Sequence, residues 1–238
     1  MWKEKKVSVV FSTYREKISI RKYIDDLFKT GIVDEVIVVN NNAEKGTDEE
    51  VKKTKAKLYY EAIQGFGAGY QTALSKATGD ILIMSEPDGT FRASDIEKLL
   101  VYSNDFDVVI GSRTNQSTIM EGANMGWFLK YGNWFVAKLM EFMYNTVYMS
   151  DAGCTLRLMH RNIYEKIKND FTIKSLEFNP ELQLLFIIHK FRFVEIPVHY
   201  LKRVGKSSVT GSFVKSFLLG LKMIRLVLIY RFGLNKKR

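Results

Sequence analysis

The chain passes from a short apolar run into two carboxylates at Asp80-Ile81-Leu82-Ile83-Met84-Ser85-Glu86-Pro87-Asp88. The apolar run predicts a buried strand over Asp80–Ser85. Because Pro87 removes a backbone donor and biases Glu86 towards extended geometry, we expect the strand to end there. Alternate side chains of an extended chain point to the same side, so Glu86 and Asp88 should be presented together.

The local sequence leaves two interpretations of this acidic pair open. Two carboxylates at the C-terminal edge of a strand suit a divalent cation that carries a diphosphate, since such ions prefer oxygen ligands. The alternative is a solvated acidic turn, because Glu-Pro-Asp-Gly over residues 86–89 is also favourable turn sequence.

The composition is that of a globular chain. Its 238 residues suffice for one large domain, or for one domain with an appendage, and 46% of them are hydrophobic. The single cysteine, Cys154, excludes an internal disulfide framework and fits a reducing compartment. The charged start, Met1–Lys6, leads us to expect no signal peptide.

The net charge of +10 is unevenly distributed. Residues 213–238 contain Lys215, Lys222, Arg225, Arg231 and the terminal Lys236-Lys237-Arg238, but no acid. Such an excess is typical of proteins that bind nucleic acid, an anionic membrane surface or phosphorylated substrates. No zinc-finger spacing or RNA-recognition signature accompanies it, so nucleic acid is the least favoured partner.

Short β-rich runs alternate with helical patterns through the first half of the chain. The predicted strands are Val7–Phe11, Glu35–Asn40, Leu58–Ile63, Asp80–Ser85 and Asp107–Gly111. The predicted helices are Ile18–Thr30, Glu49–Lys57, Ala68–Ala77 and Asp95–Tyr102, with capping boxes at residues 47–50 and 94–97. This alternation predicts right-handed βαβ units and an α/β fold with a mostly parallel sheet flanked by helices. Ligands of such sheets bind beyond the C-terminal strand ends, so these loops should share one crevice.

The second half of the chain is less regular. The stretch Trp127–Tyr148 is rich in aromatic residues and methionine, is predicted to be helical, and is unusually apolar for a surface element. The remaining predicted elements are a strand at Thr155–Met159, helices at Arg161–Asn169 and Pro180–His189, and a strand at Phe193–Leu201.

The tail Ser212–Leu234 is apolar, but its uncharged stretches are far shorter than the roughly 20 residues needed to cross a bilayer. Lys215, Lys222 and Arg225 fall on one helical face and leave a broad apolar face. This pattern predicts an amphipathic helix in the membrane interface, with the terminal basic residues on anionic headgroups. A helix packed on the core or in a dimer interface is the alternative.

Polar and glycine-rich segments follow three of the predicted strands. Gly65–Gly69 opens a helix as a dinucleotide-binding loop does, but Tyr70 replaces the third glycine, so we expect a tight turn and close backbone approach to a ligand. Asn40-Asn41-Asn42 can bond a nucleobase or a ribose, or simply form a turn. Together with Ser12-Thr13-Tyr14-Arg15-Glu16, these segments predict a nucleotide pocket.

Seven motifs in order make the chain resemble family 2 glycosyltransferases of GT-A fold, near the dolichyl- and polyprenyl-phosphate sugar synthases. The resemblance covers roughly residues 6–208. The motifs are Val9–Glu16 (the opening strand and loop), Val38–Asn42 (V-V-D-D-G), Gly67–Gly69 (the glycine-rich helix start), Glu86–Asp88 (D-x-D), Val109–Arg113 (V-I-G-S-R), Asp151–Arg157 (D-x-x-S-G-F-R) and Arg203–Ser207 (R-x-G-x-S).

The resemblance implies a nucleotide-sugar donor bound with Mg²⁺ or Mn²⁺, and inverting transfer. Glu86 and Asp88 would hold the metal, and Asp88, Asp151 and Arg157 would be catalytic. Phosphates of donor or acceptor would be bound by Arg157, Arg203 and Lys206. The nucleotide sugar would be bound by Ser12, Thr13, Tyr14, Glu16, Asn40, Asn41, Gly67, Gly69, Glu86 and Arg113.

The chain departs from the family pattern at three positions. Asn40 and its neighbours replace the usual acidic residues after the second strand, which makes base recognition harder to infer. Glu86 stands where the family has aspartate, and the longer side chain changes reach but not charge. Ser12 replaces the usual proline of the first loop. None of these changes removes the predicted metal-binding pair.

Asp151 has two candidate roles. A hydroxyl acceptor needs a base to take its proton, whereas a lipid phosphate is already ionised and needs only orientation. Asp151 would be that base, or would position an arginine or the acceptor. Glu181, at a predicted helix start, is a weaker candidate that helix capping explains nearly as well.

We therefore expect a GT-A catalytic domain at 1–208 and a basic amphipathic segment at 209–238. The predicted reaction moves a sugar from a UDP- or GDP-sugar to a polyprenyl or dolichyl phosphate, at the cytoplasmic face of a membrane. Trp127–Tyr148 is a candidate wall or membrane-facing lid for the isoprenoid chain. The alternatives are a hydroxyl of a surface glycan or lipid-linked oligosaccharide as acceptor, and a non-catalytic nucleotide-sugar-binding subunit of a membrane partner. A homo-oligomer is also open.

Overall fold

The computed structural model describes residues 1–123, 125–205 and 213–233, and its centre is a seven-stranded sheet. The strands are β1 (Val7–Thr13), β2 (Glu35–Asn40), β3 (Lys57–Tyr60), β4 (Ile81–Met84), β5 (Val108–Ser112), β6 (Arg157–His160) and β7 (Phe193–Pro197). Their order across the sheet is β3-β2-β1-β4-β6-β5-β7. All are mutually parallel except β6, which runs antiparallel between β4 and β5.

Eight α-helices accompany the sheet in the described part of the chain. They are α1 (Lys17–Lys29), α2 (Thr47–Lys52), α3 (Phe66–Lys76), α4 (Asp95–Tyr102), α5 (Trp127–Tyr144), α6 (Arg161–Ile167), α7 (Phe178–Ile188) and α8 (Phe213–Phe232). The predicted α/β class, the mostly parallel sheet and the C-terminal helix are therefore confirmed. Both ends of the predicted tail helix, Ser212 and Leu234, lie outside the described residues.

The central strands are buried on both faces, which is why they read as continuous apolar runs rather than alternating ones. Every residue of β4 and β5 is buried, and so are nearly all of those of β1 and β2. The edge strand β3 is only partly buried and ends at Tyr60, three residues before its predicted end. Burial on both faces makes the strand ends at the middle of the sheet rigid supports for the loops that follow.

The capping boxes predicted the right helices but not the contacts at their starts. Helix α2 begins at Thr47 itself, its N-cap is Gly46 in the left-handed region, and the Thr47 hydroxyl bonds the Glu44 carbonyl instead. Ser94 is the N-cap of α4, but its side chain makes no capping hydrogen bond. The motif marks the start of a helix without requiring the reciprocal side-chain bonds.

The antiparallel strand β6 brings a segment of the second half into the centre of the sheet. Arg157 is paired with Met84 of β4 and with Ile110 of β5. Since β6 runs against its neighbours, residues 151–156 reach the sheet at the edge where β4 and β5 end. This arrangement sets Asp151 and Thr155 beside the loops that carry Glu86 and Arg113.

Helix α8 packs on α5 and α7. Met223, Leu226 and Val227 are buried at this contact, and the Tyr144 hydroxyl on α5 donates to the Val227 carbonyl at 3.3 Å. On the other side the Tyr230 hydroxyl donates to Glu181 at 2.7 Å. One face of the tail helix therefore packs on protein, as the alternative for this segment expected.

Candidate active site

A cavity of about 710 Å³ opens at the C-terminal ends of the parallel strands. The loops after β1, β2, β3 and β4 all contribute to it, so the four strand ends do share one crevice, as the sequence predicts. Eight of the predicted site residues line it: Ser12, Thr13, Tyr14, Glu16, Asn41, Glu86, Arg113 and Arg203.

Three carboxylates surround the guanidinium of Arg203. Its Nη1 atom lies 2.8 Å from Asp88 Oδ2 and 4.0 Å from Glu86 Oε2. Its Nη2 atom donates to Glu16 Oε1 at 2.9 Å. Among the described residues Arg203 is the one cation in contact with this carboxylate cluster (Glu16, Glu86 and Asp88), so the acids outnumber their contacting cation.

Asp88 is almost wholly buried and does not itself line the cavity, although the adjacent Glu86 and Pro87 do. Its Oδ1 atom accepts the backbone and hydroxyl hydrogens of Thr90 at 2.9 and 2.5 Å. Its Oδ2 atom is close to Arg203 but is not aligned for a hydrogen bond with any described residue. A buried carboxylate oxygen without an aligned donor is a strong potential ligand for a cation.

Glu86 is held near a second charge in a poorly hydrated place. Burial and the neighbouring Asp88 raise the pKa of Glu86 to about 7, although the Thr155 hydroxyl and Arg203 act in the opposite direction. Removal from water and a like charge both disfavour the ionised form. A divalent cation between the two carboxylates would relieve this repulsion.

The pair fits a divalent metal only with help from a ligand. Among the described residues no group of three His, Cys, Asp or Glu side chains could hold a metal ion. Mg²⁺ in proteins is commonly held by one or two carboxylates together with substrate phosphates and water. Glu86 and Asp88 therefore fit a metal that arrives with a diphosphate.

Glu16 organises the loop after β1. Its Oε2 atom accepts hydrogen bonds from the Thr13 hydroxyl at 3.1 Å and from the backbone N–H groups of Tyr14 and Arg15 at 2.7 and 2.8 Å. The other oxygen is bonded to Arg203. Glu16 thus fixes the shape of one wall of the cavity, and both of its oxygens are engaged.

The two predicted asparagines differ in position. Asn41 lines the cavity, and its side chain ties two loops together through the Glu61 and Ile63 carbonyls and the Gly65 N–H. Asn40 does not line the cavity, because its amide bonds Asp48 and its oxygen accepts the Ala43 N–H.

The two predicted glycines allow protein segments, not a ligand, to approach the helix α3. A Cβ atom on Gly69 would lie 2.1 Å from the Ser12 hydroxyl, and one on Gly67 would lie 2.6 Å from the Ile173 carbonyl. Neither glycine lines the cavity. Their effect on a ligand would be indirect, through the placement of Ser12 and of the loop before α7.

Asp151 and Arg113 form a closed pair. Arg113 donates from Nε to Oδ2 and from Nη2 to Oδ1, both at 2.9 Å, and its backbone N–H donates to Oδ2 at 3.0 Å. The Gly153 N–H adds a fourth bond at 3.0 Å. Burial opposes ionisation of Asp151, but Arg113 outweighs it and holds the pKa of that carboxyl below its usual value. This geometry favours the positioning of an arginine over proton abstraction, and the catalytic role stays a prediction.

Arg113 presents its remaining donors to the cavity. Its guanidinium lies 5.3 Å from the centre of the Tyr200 ring, which supports it from one side. Tyr200 also lines the cavity. The bidentate pair and the ring together fix the orientation of a cation that faces the carboxylate cluster.

Arg157 has a different environment from the one that the sequence predicts. Its side chain is completely buried, lies outside the cavity lining, and donates to the carbonyls of Asn179 (3.0 Å) and Cys154. Burial lowers the pKa of Arg157 to about 10. This geometry favours a structural role, in which Arg157 holds two backbone segments together beneath the cavity. Lys206, the other predicted phosphate ligand, lies outside the described residues.

Glu181 is also a structural residue in this geometry. It is wholly buried, and it accepts hydrogen bonds from the Thr172 and Ile173 N–H groups and from the Tyr230 hydroxyl. It joins α7, the preceding loop and α8, and it does not line the cavity.

Sequence reasoning missed several polar residues of the cavity. Asn179 donates to the Thr155 hydroxyl at 2.9 Å, and both line the cavity beside Glu86. Asn133 of α5 lines it too. Thr155 lies within a recognised motif, but Asn133 and Tyr200 belong to no pattern, because their positions depend on long-range packing of α5 and of the segment after β7.

Much of the remaining cavity wall is apolar and comes from two helices. Helix α5 supplies Phe128, Leu129, Phe135 and Val136, and helix α8 supplies Phe217, Leu219, Leu221, Met223 and Ile224. Part of the predicted stretch Trp127–Tyr148 thus forms cavity wall, and its role beside an isoprenoid chain stays a prediction. The cavity joins a polar, charged floor to a long apolar side.

The outer faces of the same two helices expose large apolar residues. On α5 these include Trp127, Tyr131, Trp134 and Phe142, and on α8 they include Phe213, Val214, Leu218 and Phe232. Across residues 1–123, 125–205 and 213–233, no helix combines the length and the hydropathy that a membrane crossing requires.

Comparison with known sequences identifies relatives of the chain. The family model described as glycosyl transferase family 2 matches residues 8–168. The low-salt glycan biosynthesis hexosyltransferase Agl6 of Haloferax volcanii is 26% identical over 229 residues, which cover 94% of this chain and 53% of that protein. A dolichyl-phosphate hexose transferase of the same organism is 25% identical over 208 residues, which cover 85% of this chain and 86% of that protein. The chain thus spans about half the length of the first relative and most of the second.

Comparison with solved structures identifies proteins that share the fold of this chain. Glucosyl-3-phosphoglycerate synthase of Mycobacterium tuberculosis, in complex with Mn²⁺, UDP and phosphoglyceric acid, superposes with a TM-score of 0.75 over 97% of this chain and 79% of that chain. The same enzyme with Mg²⁺ and UDP gives a TM-score of 0.74. Sequence identity is 13% and 12%, so the likeness concerns the fold.

Proposed function

The chain belongs to glycosyl transferase family 2, and we propose that it moves a hexose from a UDP- or GDP-sugar to the phosphate of a polyprenyl or dolichyl phosphate. The observation that carries this proposal is a single cavity with a charged floor and an apolar wall. The floor suits a nucleoside diphosphate, and the wall suits a long hydrocarbon chain. The dolichyl-phosphate hexose transferase among the relatives supports the same acceptor class.

The donor would bind across the loops after β1, β2 and β4. Glu86 and Asp88 would hold Mg²⁺ or Mn²⁺, which when bound neutralises the charge of the departing nucleoside diphosphate. Arg113 and Arg203 flank this position, and forked arginine groups suit phosphate oxygens. Ser12, Thr13, Tyr14 and Asn41 would border the nucleoside.

The acceptor assignment rests on the lack of an available base. Among the described residues, Glu16 and Glu86 are the only Asp, Glu or His side chains that line the cavity. Glu16 is fully hydrogen-bonded, and Glu86 belongs to the metal pair. The residues outside the described ranges include no Asp, Glu or His. A hydroxyl acceptor would need such a base, whereas a phosphate is already ionised and needs only orientation.

The carboxylates that line the cavity also support direct displacement of the nucleoside diphosphate by the acceptor, without a covalent intermediate. A covalent glycosyl intermediate would need a carboxylate nucleophile next to the anomeric carbon. Both cavity carboxylates are committed to other contacts. A single in-line attack by the acceptor phosphate inverts the configuration of the anomeric carbon, so inverting transfer forms part of the proposal.

The acceptor chain would lie between α5 and α8, whose inner faces are apolar. The outer faces of these helices would then rest on the membrane that holds the acceptor, with Lys215, Lys222 and Arg225 near anionic headgroups. We assign this contact to the cytoplasmic face, because a single unpaired cysteine fits a reducing compartment.

A donor-by-acceptor screen tests the reaction. Purified protein with Mn²⁺ is incubated with UDP- and GDP-sugars, and with short-chain polyprenyl phosphate or the matching polyprenol, which differs only by the phosphate. We expect transfer to the phosphate and none to the alcohol. Transfer to a hydroxyl acceptor alone would contradict the acceptor assignment, and donor binding without turnover on any acceptor would support the non-catalytic alternative.

Vesicle sedimentation tests the membrane contact. Replacement of Lys215, Lys222 and Arg225 by glutamine should reduce binding to vesicles with anionic lipid by about 10-fold or more, since each basic residue contributes roughly 1 kcal/mol near such a surface. Replacement of three cations on α1 (Arg21, Lys22 and Lys29) is the matched control and should leave binding unchanged. Equal sedimentation of both variants would contradict the assigned surface.

A further inference from the structure

Glu195 of β7 is a partly buried acid that takes no direct part in the proposed reaction. Its Oε2 atom accepts the backbone N–H of Ser150 at 2.6 Å and the Ser150 hydroxyl at 2.7 Å. Its Oε1 atom accepts the Asp151 N–H at 3.2 Å. Glu195 therefore holds two successive backbone N–H groups, those of Ser150 and Asp151.

A continuous set of contacts runs from Glu195 to the cavity. Glu195 holds the backbone of Ser150 and Asp151, Asp151 holds Arg113 through two side-chain bonds, and Arg113 lines the cavity. Gln183 adds a second support, since its amide donates to the Asp151 carbonyl at 2.9 Å. The orientation of Arg113 thus depends on where Glu195 keeps the Asp151 backbone.

Ionised Glu195 accepts all three bonds. A proton on Oε1 makes that oxygen a donor and weakens the bond from the Asp151 N–H, while Oε2 keeps both bonds from Ser150. We propose that Glu195 is a positioning residue for Arg113, and that protonation of Glu195 loosens the Asp151 segment and weakens the grip of Arg113 on the donor diphosphate. This inference rests on the proposed function.

The surroundings of Glu195 make this change accessible near neutral pH. Burial raises the pKa of Glu195 to about 7, and the charge of Asp151 adds to this, while the bonds from Ser150 and Asp151 act in the opposite direction. The charged groups that act in this region are Asp151, Arg113 and the buried Arg157. The raised value means that the carboxylate is fully formed only above neutral pH.

The test compares Mn²⁺–UDP binding by calorimetry from pH 6 to pH 8 in the wild type and in Glu195→Gln. Glutamine keeps the shape but replaces one acceptor oxygen by a donor. At pH 8 we expect the variant to bind about fivefold more weakly, on the scale of a partly lost charge-assisted hydrogen bond. At pH 6 the two should converge, because the wild type is then protonated. Titration of UDP and Glu86 affects both proteins equally and cancels in the ratio.

Glu35→Gln is the matched control. Glu35 is a hydrogen-bonded carboxylate too, but it lies at the N-terminal end of β2, away from the cavity, and has a pKa lowered to about 2. Its substitution should leave the affinity ratio constant from pH 6 to pH 8. A second variant, Ser150→Ala, removes a bond that favours the ionised Glu195 and should move the wild-type inflection to higher pH.

The outcomes separate the two proposals. A Glu195→Gln to wild-type ratio that is constant with pH, in folded protein, would overturn the role of Glu195 and leave the proposed function intact. If Glu195→Gln does not fold, an unshifted inflection in Ser150→Ala overturns it instead. No binding of Mn²⁺–UDP by the wild type at any pH would overturn the proposed function, and the role of Glu195 with it.

Discussion

Two clusters of acids and arginines lie against the same cavity, and their charges are satisfied to different degrees. Asp151 and Arg113 are one anion and one cation with four hydrogen bonds to the carboxylate. The carboxylate cluster has three acids around Arg203, and Asp88 keeps a buried oxygen without an aligned donor. The Asp151–Arg113 pair is closed, because each charge has its partner, and this is typical of a structural support. The carboxylate cluster is open to a further cation, which is typical of a binding site.

The comparison also separates two consequences of burial. In the closed pair, the arginine outweighs burial and the pKa of Asp151 falls. In the open cluster, burial and a like charge raise the pKa of Glu86 to about 7. The first arrangement stabilises the fold by itself, and the second is stabilised when a cation binds.

The largest expected effect comes from removal of the open cluster's surplus charge. Glu86→Gln with Asp88→Asn should lower transfer by at least about 100-fold, because a metal contributes several kcal/mol to charge stabilisation in the transition state. Without metal, the melting temperature of this double variant should be no lower than that of the wild type. Turnover and thermal unfolding in chelator check both points.

The control for that variant changes the same charge elsewhere. Glu49→Gln with Asp105→Asn removes two exposed carboxylates. It should preserve turnover and Mn²⁺ binding. Equal loss in both double variants would mean that net charge, and not the site, accounts for the effect.

Breaking the closed pair should damage the fold instead. Asp151→Asn leaves the buried Arg113 without its counter-ion and should cost about 3–5 kcal/mol of the free energy of unfolding, with or without Mn²⁺. Denaturant unfolding measures this loss. The control Glu165→Gln removes an exposed pair and should cost less than about 1 kcal/mol. A stable Asp151→Asn protein that lacks only turnover would instead support the catalytic role predicted for Asp151.

Glu35 offers a third carboxylate, one that is satisfied far from the cavity. Burial opposes its ionisation, but bonds from Lys57, Ser8 and Thr78 outweigh burial and lower the pKa of Glu35 to about 2. Because the folded value lies below the unfolded one, its stabilisation is present above about pH 4.5 and is lost as the pH falls towards 2. Glu35→Gln should therefore cost about 1–2 kcal/mol at pH 7 and nothing near pH 2. Parallel stability curves would contradict this.

The smallest expected effect is an increase in the affinity for Mn²⁺. Arg203→Ala removes the cation that now lies 2.8 Å from Asp88 Oδ2. Binding of Mn²⁺ alone should become about tenfold tighter, since a nearby positive charge opposes a second cation by roughly 1–4 kcal/mol. Titration followed by electron paramagnetic resonance measures this affinity. Arg192→Ala, at an exposed arginine, should change nothing, and weaker Mn²⁺ binding in Arg203→Ala would mean that Arg203 assists the metal.

Much of the fold could be predicted from sequence because local patterns determine it. The apolar runs of β1, β2, β4 and β5 and the helix starts that follow them are local features. The antiparallel direction of β6 is not, since the pattern at Thr155–Met159 is the same for either direction. The end of β3 at Tyr60 depends on burial at a sheet edge, which the local pattern does not reveal.

The site divides in the same way. Residues that follow a strand end, such as Ser12, Asn41 and Glu86, were found because parallel strands bring their ends together. The structure places Arg157 outside the cavity lining, since a motif fixes its position in the chain but not the direction of its side chain, and its catalytic role stays a prediction. Asn133, Tyr200 and Glu195 were missed, because packing between distant segments gives them their place.

We propose that Glu86 and Asp88 bind a divalent cation together with a nucleoside diphosphate. The most direct test is a crystal grown with Mn²⁺ and UDP, examined by anomalous scattering at the manganese edge. We expect one peak at Glu86 and Asp88, beside bound UDP. A peak elsewhere in the cavity, or UDP bound without manganese at these side chains, would contradict it.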